Sequence, residues 1–262
     1  MIHEIYLKEL SKALGYLPAW FPNSKLELGD FLDRNTLERK GNIGSLRDEA
    51  ICFTVRPASA RGSFEYSSAR GVSITTKIAG QVVVGSSLGK VDAGLIVKFS
   101  KENVIVFEAS GCTSIAIDDI NSLGSAIMAL YNAGHWSPDW VVVTELVRAR
   151  CATIIISGDK SAQIDLKANG KLTPAGYSLA DPNARFAAKN VRDVVFKFIA
   201  ENGLTPLYRA SGIKRNLLMG PRFSPADRSV SSRARRRSSS EEFLEFLGDD
   251  FFVKSDERPL MI

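Results

Sequence analysis

The segment Trp140–Asp165, WVVVTELVRARCATIIISGDKSAQID, constrains the fold more than any other stretch. It holds two runs rich in Val, Ile and Thr, joined by Gly158-Asp159-Lys160, which reads as two strands with a turn between them. Val141, Val143 and Val147 share one parity with Glu145, and Val142, Thr144, Leu146 and Arg148 share the other. Beyond the turn, Ile164 and Leu166 alternate with Gln163, Asp165 and Lys167. A hairpin with one apolar and one polar face fits two settings. It can lie on a globular core, or it can line a membrane barrel whose lipid-facing and lumen-facing residues alternate.

Further β signal precedes this segment. Between Gly71 and Ala109, Val72, Ile74, Thr76 and Ile78 alternate with Ser73, Thr75, Lys77 and Ala79. The runs Val91–Phe99 and Val104–Ala109, the latter containing Val106, flank a turn at Ser100–Asn103. Consecutive antiparallel strands are the expectation. Ala50–Arg56, Lys25–Phe31 and Leu204–Ala210 read as shorter strands, the last at an edge because it contains Pro206. Ala58–Arg70 is small and polar, with glycine and serine, and carries no strand signal of its own.

Three helices are expected. Ile2–Leu14 places Ile2, Ile5, Tyr6, Leu10, Ala13 and Leu14 on one side and Lys8 and Lys12 on the other, with Gly15 as the stop. Asp118–Ala133 carries an Ile120, Leu123, Ile127, Leu130 and Tyr131 stripe behind two aspartates that suit a helix N-terminus. Phe186–Asn202 offers Val191, Val194, Val195, Phe198 and Ile199 as a third stripe, ended by Gly203.

Composition excludes several classes. The chain has 262 residues, 45% hydrophobic and 24% charged, which is ordinary for a globular domain. No run reaches the roughly 18–20 apolar residues of a spanning helix. The N-terminal segment has no apolar signal-peptide core, so a cytoplasmic protein is expected. Cys52, Cys112 and Cys151 form no C-x-x-C pair, and His3 and His135 have no ligand-type partner, so neither a disulfide framework nor a metal site is expected. There is no phosphate-binding glycine loop, and no spacing supports a dyad of His135 with Cys112 or Cys151; no catalytic residues and no cofactor are expected.

Charge is segregated near the C-terminus. Residues Arg222–Arg237 carry a net +5, six arginines against Asp227. The following Glu241–Arg258 stretch is equally acidic and contains Phe243, Leu244, Phe246, Leu247, Phe251 and Phe252. Pro221–Ser240 reads as a flexible linker and the acidic stretch as a tail that folds back on the domain. The arginine run can also neutralise phosphates, but the adjoining acidic block competes with them and no nucleic-acid-binding motif is evident. A tail that binds a separate partner protein fits the same residues.

A helix followed by Trp140–Ala149, with the run Val142-Val143-Thr144-Glu145-Leu146, resembles the pore-forming domain of gasdermins, whose members often carry a similar VVTEV strand after a helix. The resemblance covers residues 71–202 and extends to the short C-terminal tail of bacterial and fungal gasdermins. It implies an α+β fold: a twisted, largely antiparallel sheet with flanking helices over residues 1–220, then a linker at 221–240 and an autoinhibitory tail at 241–262. It implies no enzymatic activity. It further implies that a protease removes the tail and that the freed domain, a monomer at rest, oligomerises into a β-barrel pore in the cell membrane and causes cell death, in bacteria as antiviral defence. The partners implied are the protease and membrane lipids, with no nucleic acid. The candidate cleavage site is Arg235, Arg236, Arg237 and Ser238, chosen because a trypsin-like enzyme cuts such a run. The candidate membrane hairpins carry Val72, Ile74, Val104 and Val106, and Val141, Val143, Ile164 and Leu166. Residues 1–51 contain no cysteine, so the N-terminal lipidated cysteine of many bacterial gasdermins does not carry over. The six apolar tail residues could contribute an upper bound of about 9–18 kcal/mol before ordering entropy.

Overall fold

Two strand runs set the architecture, because each keeps its register across an interruption. The computed structural model describes residues 2–20, 26–37, 44–68, 70–78, 93–168, 178–182, 186–216 and 220–224. In chain order the elements are α1 (Ile2–Leu14), β1 (Leu17–Pro18), β2 (Phe31–Asp33), β3 (Val55–Ser67), β4 (Val72–Ile78), β5 (Ala93–Phe99), β6 (Ile105–Ile117) and α2 (Ile120–Asn132). They continue with β7 (Trp140–Arg148), β8 (Cys151–Ser157), β9 (Gln163–Ala168), β10 (Phe186–Arg192), β11 (Val194–Asn202), β12 (Leu207–Asn216) and β13 (Gly220–Ser224). The fold is therefore mostly antiparallel sheet with two helices among the described residues.

β7 and β8 act as one strand against β6. Ala116 stands opposite Glu145, Thr113 opposite Arg148, Ser110 opposite Cys151 and Ile105 opposite Ile156. Arg150 N donates to Ser110 O across the gap. On the outer side, β11 pairs with β8 and β12 with β7, and Ala149 N donates to Leu204 O between them. β3 closes the other edge of β6. With β1, β2 and β13 this makes a nine-stranded sheet.

A second sheet has the order β10-β9-β5-β4. It repeats the large-sheet order β11-β8-β6-β3, because β3 runs into β4, β5 into β6, β8 into β9 and β10 into β11. The two sheets are thus successive lengths of one four-stranded antiparallel ribbon. All four strands are interrupted at the same level.

Three apolar clusters hold this arrangement. α2 covers one region through Leu123 and Ile127, with Val141, Val142, Val143, Leu146 and Ile213. α1 lies across the ribbon on a second cluster. Tyr6 and Leu10 join Ile105 and Phe107 of β6 and Ile154 and Ile156 of β8, with Phe64 and Tyr66 of β3 and Phe196 and Phe198 of β11 packed alongside. The third fills the small sheet and the interruption with Leu95, Val97, Phe99, Val104, Val106, Ile164 and Leu166. Full burial of one such side chain contributes about 1.5–3 kcal/mol before entropy.

The two helices with strict stripes form where expected. Gly15, at φ 70°, ends α1, and Asp119 caps α2 by accepting from Ser122 N at 2.9 Å. Several expectations are corrected. Phe186–Asn202 is not a helix but two strands, β10 and β11, divided at Asp193 with φ 50°. Its Val and Phe content suits strands as well, and pairing with the buried β8 selects the period-two reading that sends Phe196 and Phe198 to one core. Through the small, polar stretch Ala58–Arg70, which carries no strand signal of its own, β3 runs to Ser67 along β6. It is an outer strand, exposed except at Phe64 and Tyr66, so Pro57 and the charges of Arg56, Arg61 and Glu65 are tolerated there. Of Ala50–Arg56 only Val55 and Arg56 are strand; in the expected strand Lys25–Phe31, residue 25 lies outside the described residues, Phe31 is strand and Asp30 makes an isolated bridge to Ser45. The segment around Gly158 is not a hairpin, since β8 belongs to the large sheet and β9 to the small one. Pro206 lies just before β12, which is not an edge but has β7 on one side and β1 and β13 on the other. Regular structure continues past Gly220 through β13 to Ser224.

Candidate functional site: the interrupted ribbon and its charged floor

The interruption is knit by lateral hydrogen bonds between neighbouring strands. Ser100 N donates to Gly71 O, Phe99 N to Ala162 O, Asn103 N to Ser157 O, Ser157 N to Val104 O and Gly158 N to Asp193 O, at 2.7–3.0 Å. Two residues there hold positive φ without being glycine, Asn103 at 57° and Asp193 at 50°, a conformation that asparagine and aspartate accept better than most. Ser157 Oγ accepts from Val104 N and donates to Lys101 O, so this buried hydroxyl is fully used.

Above the interruption the small sheet is two-faced. Leu95 stands opposite Leu166 and Val97 opposite Ile164, all buried. Between them Ile96 stands opposite Asp165 and Lys98 opposite Gln163, on the other face. The outer strands are more open. Ile74, opposite Val97, is 46% exposed, and Ala187–Arg192 of β10 are exposed.

α1 is fastened beside the interruption. Glu9 accepts from Tyr66 Oη at 2.8 Å and Ser68 Oγ at 2.9 Å, and burial together with Glu9 raises the Tyr66 phenol. The connection from β9 to β10 is fastened too. Glu108 on β6 accepts from Ser178 Oγ, Leu179 N and Ala180 N, while Thr153 Oγ1 donates to Leu179 O. Burial pushes the Glu108 carboxyl above the ordinary range despite these donors.

Below the interruption lies a cluster that the sequence reading did not find. The Arg209–Glu145 pair is followed by Ala210–Val143, leaving Thr144 as a bulge residue. Glu145 accepts from Arg61 Nη2 at 3.0 Å and Tyr16 Oη at 3.2 Å, and Arg209 Nη1 lies 3.5 Å from its second oxygen. The Arg209 guanidinium also lies over the Tyr16 ring, 4.4 Å from its centre. Burial, then the Glu145 charge, raises the Tyr16 phenol. Strand periodicity treats Glu145 as an intruder among valines, and its partners lie 84, 129 and 64 residues away, so only the glutamate inside an apolar strand hinted at the cluster.

The candidate hairpin residues divide between two places. Val104, Val106, Ile164 and Leu166 meet in the cluster of the small sheet, with Val72 packed against it. Val141 and Val143 belong instead to the α2 cluster of the large sheet, and Ile74 is largely exposed. The candidate cleavage residues Arg235, Arg236, Arg237 and Ser238 lie outside the described residues, as do Phe243, Leu244, Phe246, Leu247, Phe251 and Phe252. Cys112 and Cys151 are buried, and burial pushes both thiols up to about 11, so neither is a thiolate at neutral pH; His135 is exposed at the end of α2.

The architecture defines an antiparallel α+β protein built on one interrupted four-stranded ribbon. Neither the known protein-family models nor the curated proteins searched contain a match to this chain. Among the described residues no helix is long and apolar enough to cross a membrane, which leaves crossing by strands open.

Proposed function

We propose that this chain is an autoinhibited pore-forming protein of the gasdermin type, whose ribbon straightens into membrane-spanning hairpins after loss of its C-terminal tail. The observation that carries the reading is the repeated strand order, β11-β8-β6-β3 followed by β10-β9-β5-β4. Four strands interrupted at one level can become two long hairpins without changing neighbours. The central ladder already keeps one register across the interruption, Lys98 opposite Gln163 and Ile105 opposite Ile156, whereas the outer ladders of β10 and β11 differ by about three residues and would have to shift.

Three features support it further. The inner strands of the small sheet alternate apolar and polar positions, as lipid-facing and lumen-facing residues of a barrel do. A barrel strand needs about 9–11 residues, and β5 with β6 spans Ala93–Ile117. Finally, β4 and β10 are the two outer strands of the small sheet, and its four strands alternate in direction. β10 of one copy would therefore meet β4 of the next antiparallel. Such head-to-tail pairing closes a ring and leaves no backbone group unpaired in lipid.

The described chain ends in β13, where Ser224 pairs with Gly212, and the arginine run and apolar tail follow in sequence. A tethered tail acts at an effective concentration of order millimolar and loses that advantage once cut. The protein is monomeric in the cytoplasm before cutting and assembles in the membrane after it. The test is dye release from acidic liposomes by the full chain and by the chain ending at Arg237. Release by the shorter form alone is expected. Release by neither, with folding intact, would refute the reading.

A further inference from the structure

A polar cavity of about 320 Å³ opens on the large sheet between β3, β6, β7, β12 and the start of α2. Its floor carries Arg61 and Arg209, both turned to the single carboxylate of Glu145, and the hydroxyls of Ser59 and Ser114, which lie 2.9 Å apart. Arg61 Nε donates to Ser114 Oγ at 2.9 Å, so a guanidinium and two hydroxyls already converge. At this floor two guanidinium groups face one carboxylate, while the lining as a whole balances Arg56, Arg61 and Arg209 against Glu145, Asp118 and Asp119.

The acids at the mouth are engaged. Asp118 pairs with Arg56 at 3.2 Å, both well exposed, and Asp119 caps α2 through Ser122. Ser211, 1% exposed, also lines the cavity, and its hydroxyl has no hydrogen-bond partner among the described residues. Buried hydroxyls in native proteins nearly always have one. Convergent guanidinium and hydroxyl groups are the recognition chemistry of a tetrahedral oxyanion.

We propose that this cavity binds a phosphoryl group, held by Arg61 and Arg209 with the hydroxyls of Ser59, Ser114 and Ser211. The site is separate from the small sheet and does not depend on pore formation.

The test is calorimetric titration of the full chain with inorganic phosphate and with glycerol 3-phosphate in phosphate-free buffer. Co-sedimentation with phosphatidic acid vesicles separates a free ligand from a lipid headgroup. One-to-one binding is expected, weakened about tenfold by Ser211→Ala and more by Arg61→Gln, with Arg56→Gln within twofold of the parent. Ser211→Ala adds no volume, so it keeps the test valid if Arg61→Gln unfolds the chain. Absence of heat with millimolar phosphate would overturn the proposal. So would binding that neither Ser211→Ala nor Arg61→Gln alters, or sedimentation with vesicles without binding of the soluble phosphates.

Discussion

Replacing Glu145 by Gln removes the charge at the centre of the buried cluster while keeping its shape. The Glu145 side chain is 7% exposed and that of Arg209 17%, so their interaction is poorly screened. Arg61, at 42%, can rehydrate when the carboxylate is lost. Breaking a buried pair from one side costs about 3–5 kcal/mol, whereas an exposed pair is worth about 0–1 kcal/mol. The 3.5 Å separation and the Tyr16 stack on Arg209 argue for the lower end, about 3 kcal/mol for Glu145→Gln. Arg61→Gln should cost no more than about 1 kcal/mol. Urea unfolding followed by tryptophan fluorescence measures both. With a slope of about 3 kcal/mol/M, Glu145→Gln lowers the midpoint by about 1 M and Arg61→Gln by about 0.3 M or less. Equal shifts, or no shift for Glu145→Gln, would refute the view that this glutamate ties β3, β7 and β12 to the segment after α1.

Gly94→Ala should disrupt the small sheet, because a Cβ there meets the backbone oxygen of Leu166; amide exchange in β5 and β9 should accelerate while β6 and β8 stay protected. A thiol reagent should modify one cysteine, Cys52, in the native protein and all three in denaturant; rapid native modification of Cys112 or Cys151 would contradict their burial. Glu108 has a raised folded pKa, so its contribution to stability is full below the ordinary carboxylate range and is lost as pH rises through the raised value. Glu108→Gln should therefore reduce the loss of melting temperature between pH 4 and pH 8; an unchanged difference would show that Glu108 is not responsible.

Both helices were legible because each combines a 3.6-residue stripe with local end chemistry, Gly15 for α1 and Asp119 for α2. The strands around Val72, Val97, Val106 and Val141 were legible from alternation and β-branched content. What the sequence hid depends on neighbours distant along the chain. β3 turns only Phe64 and Tyr66 to the core and is otherwise exposed, and it exists as a strand because β6 offers it a ladder. The stretch Phe186–Asn202 satisfies two periods, and the choice rests on β8 and on the reversal at Asp193. The break at Gly158 looked like a hairpin because a turn signal does not say whether its flanking strands pair with each other or continue into different sheets. Glu145 read as a polar exception, since nothing local announces Arg61, Arg209 and Tyr16 as its partners.

The proposed barrel makes a prediction that a resting globular sheet does not. Ile74 shares the face of buried Val97 yet is 46% exposed, while Thr75, opposite Ile96, is exposed on the other face. An arginine at either position should leave the resting fold intact. In a barrel, Ile74→Arg meets lipid at a cost of about 2–4 kcal/mol per subunit near mid-depth, and Thr75→Arg meets the lumen. The decisive measurement is liposome dye release by the chain ending at Arg237 carrying either substitution. Loss of release with Ile74→Arg and retention with Thr75→Arg, at matched melting temperatures, is the predicted result; equal release by the two would contradict the barrel.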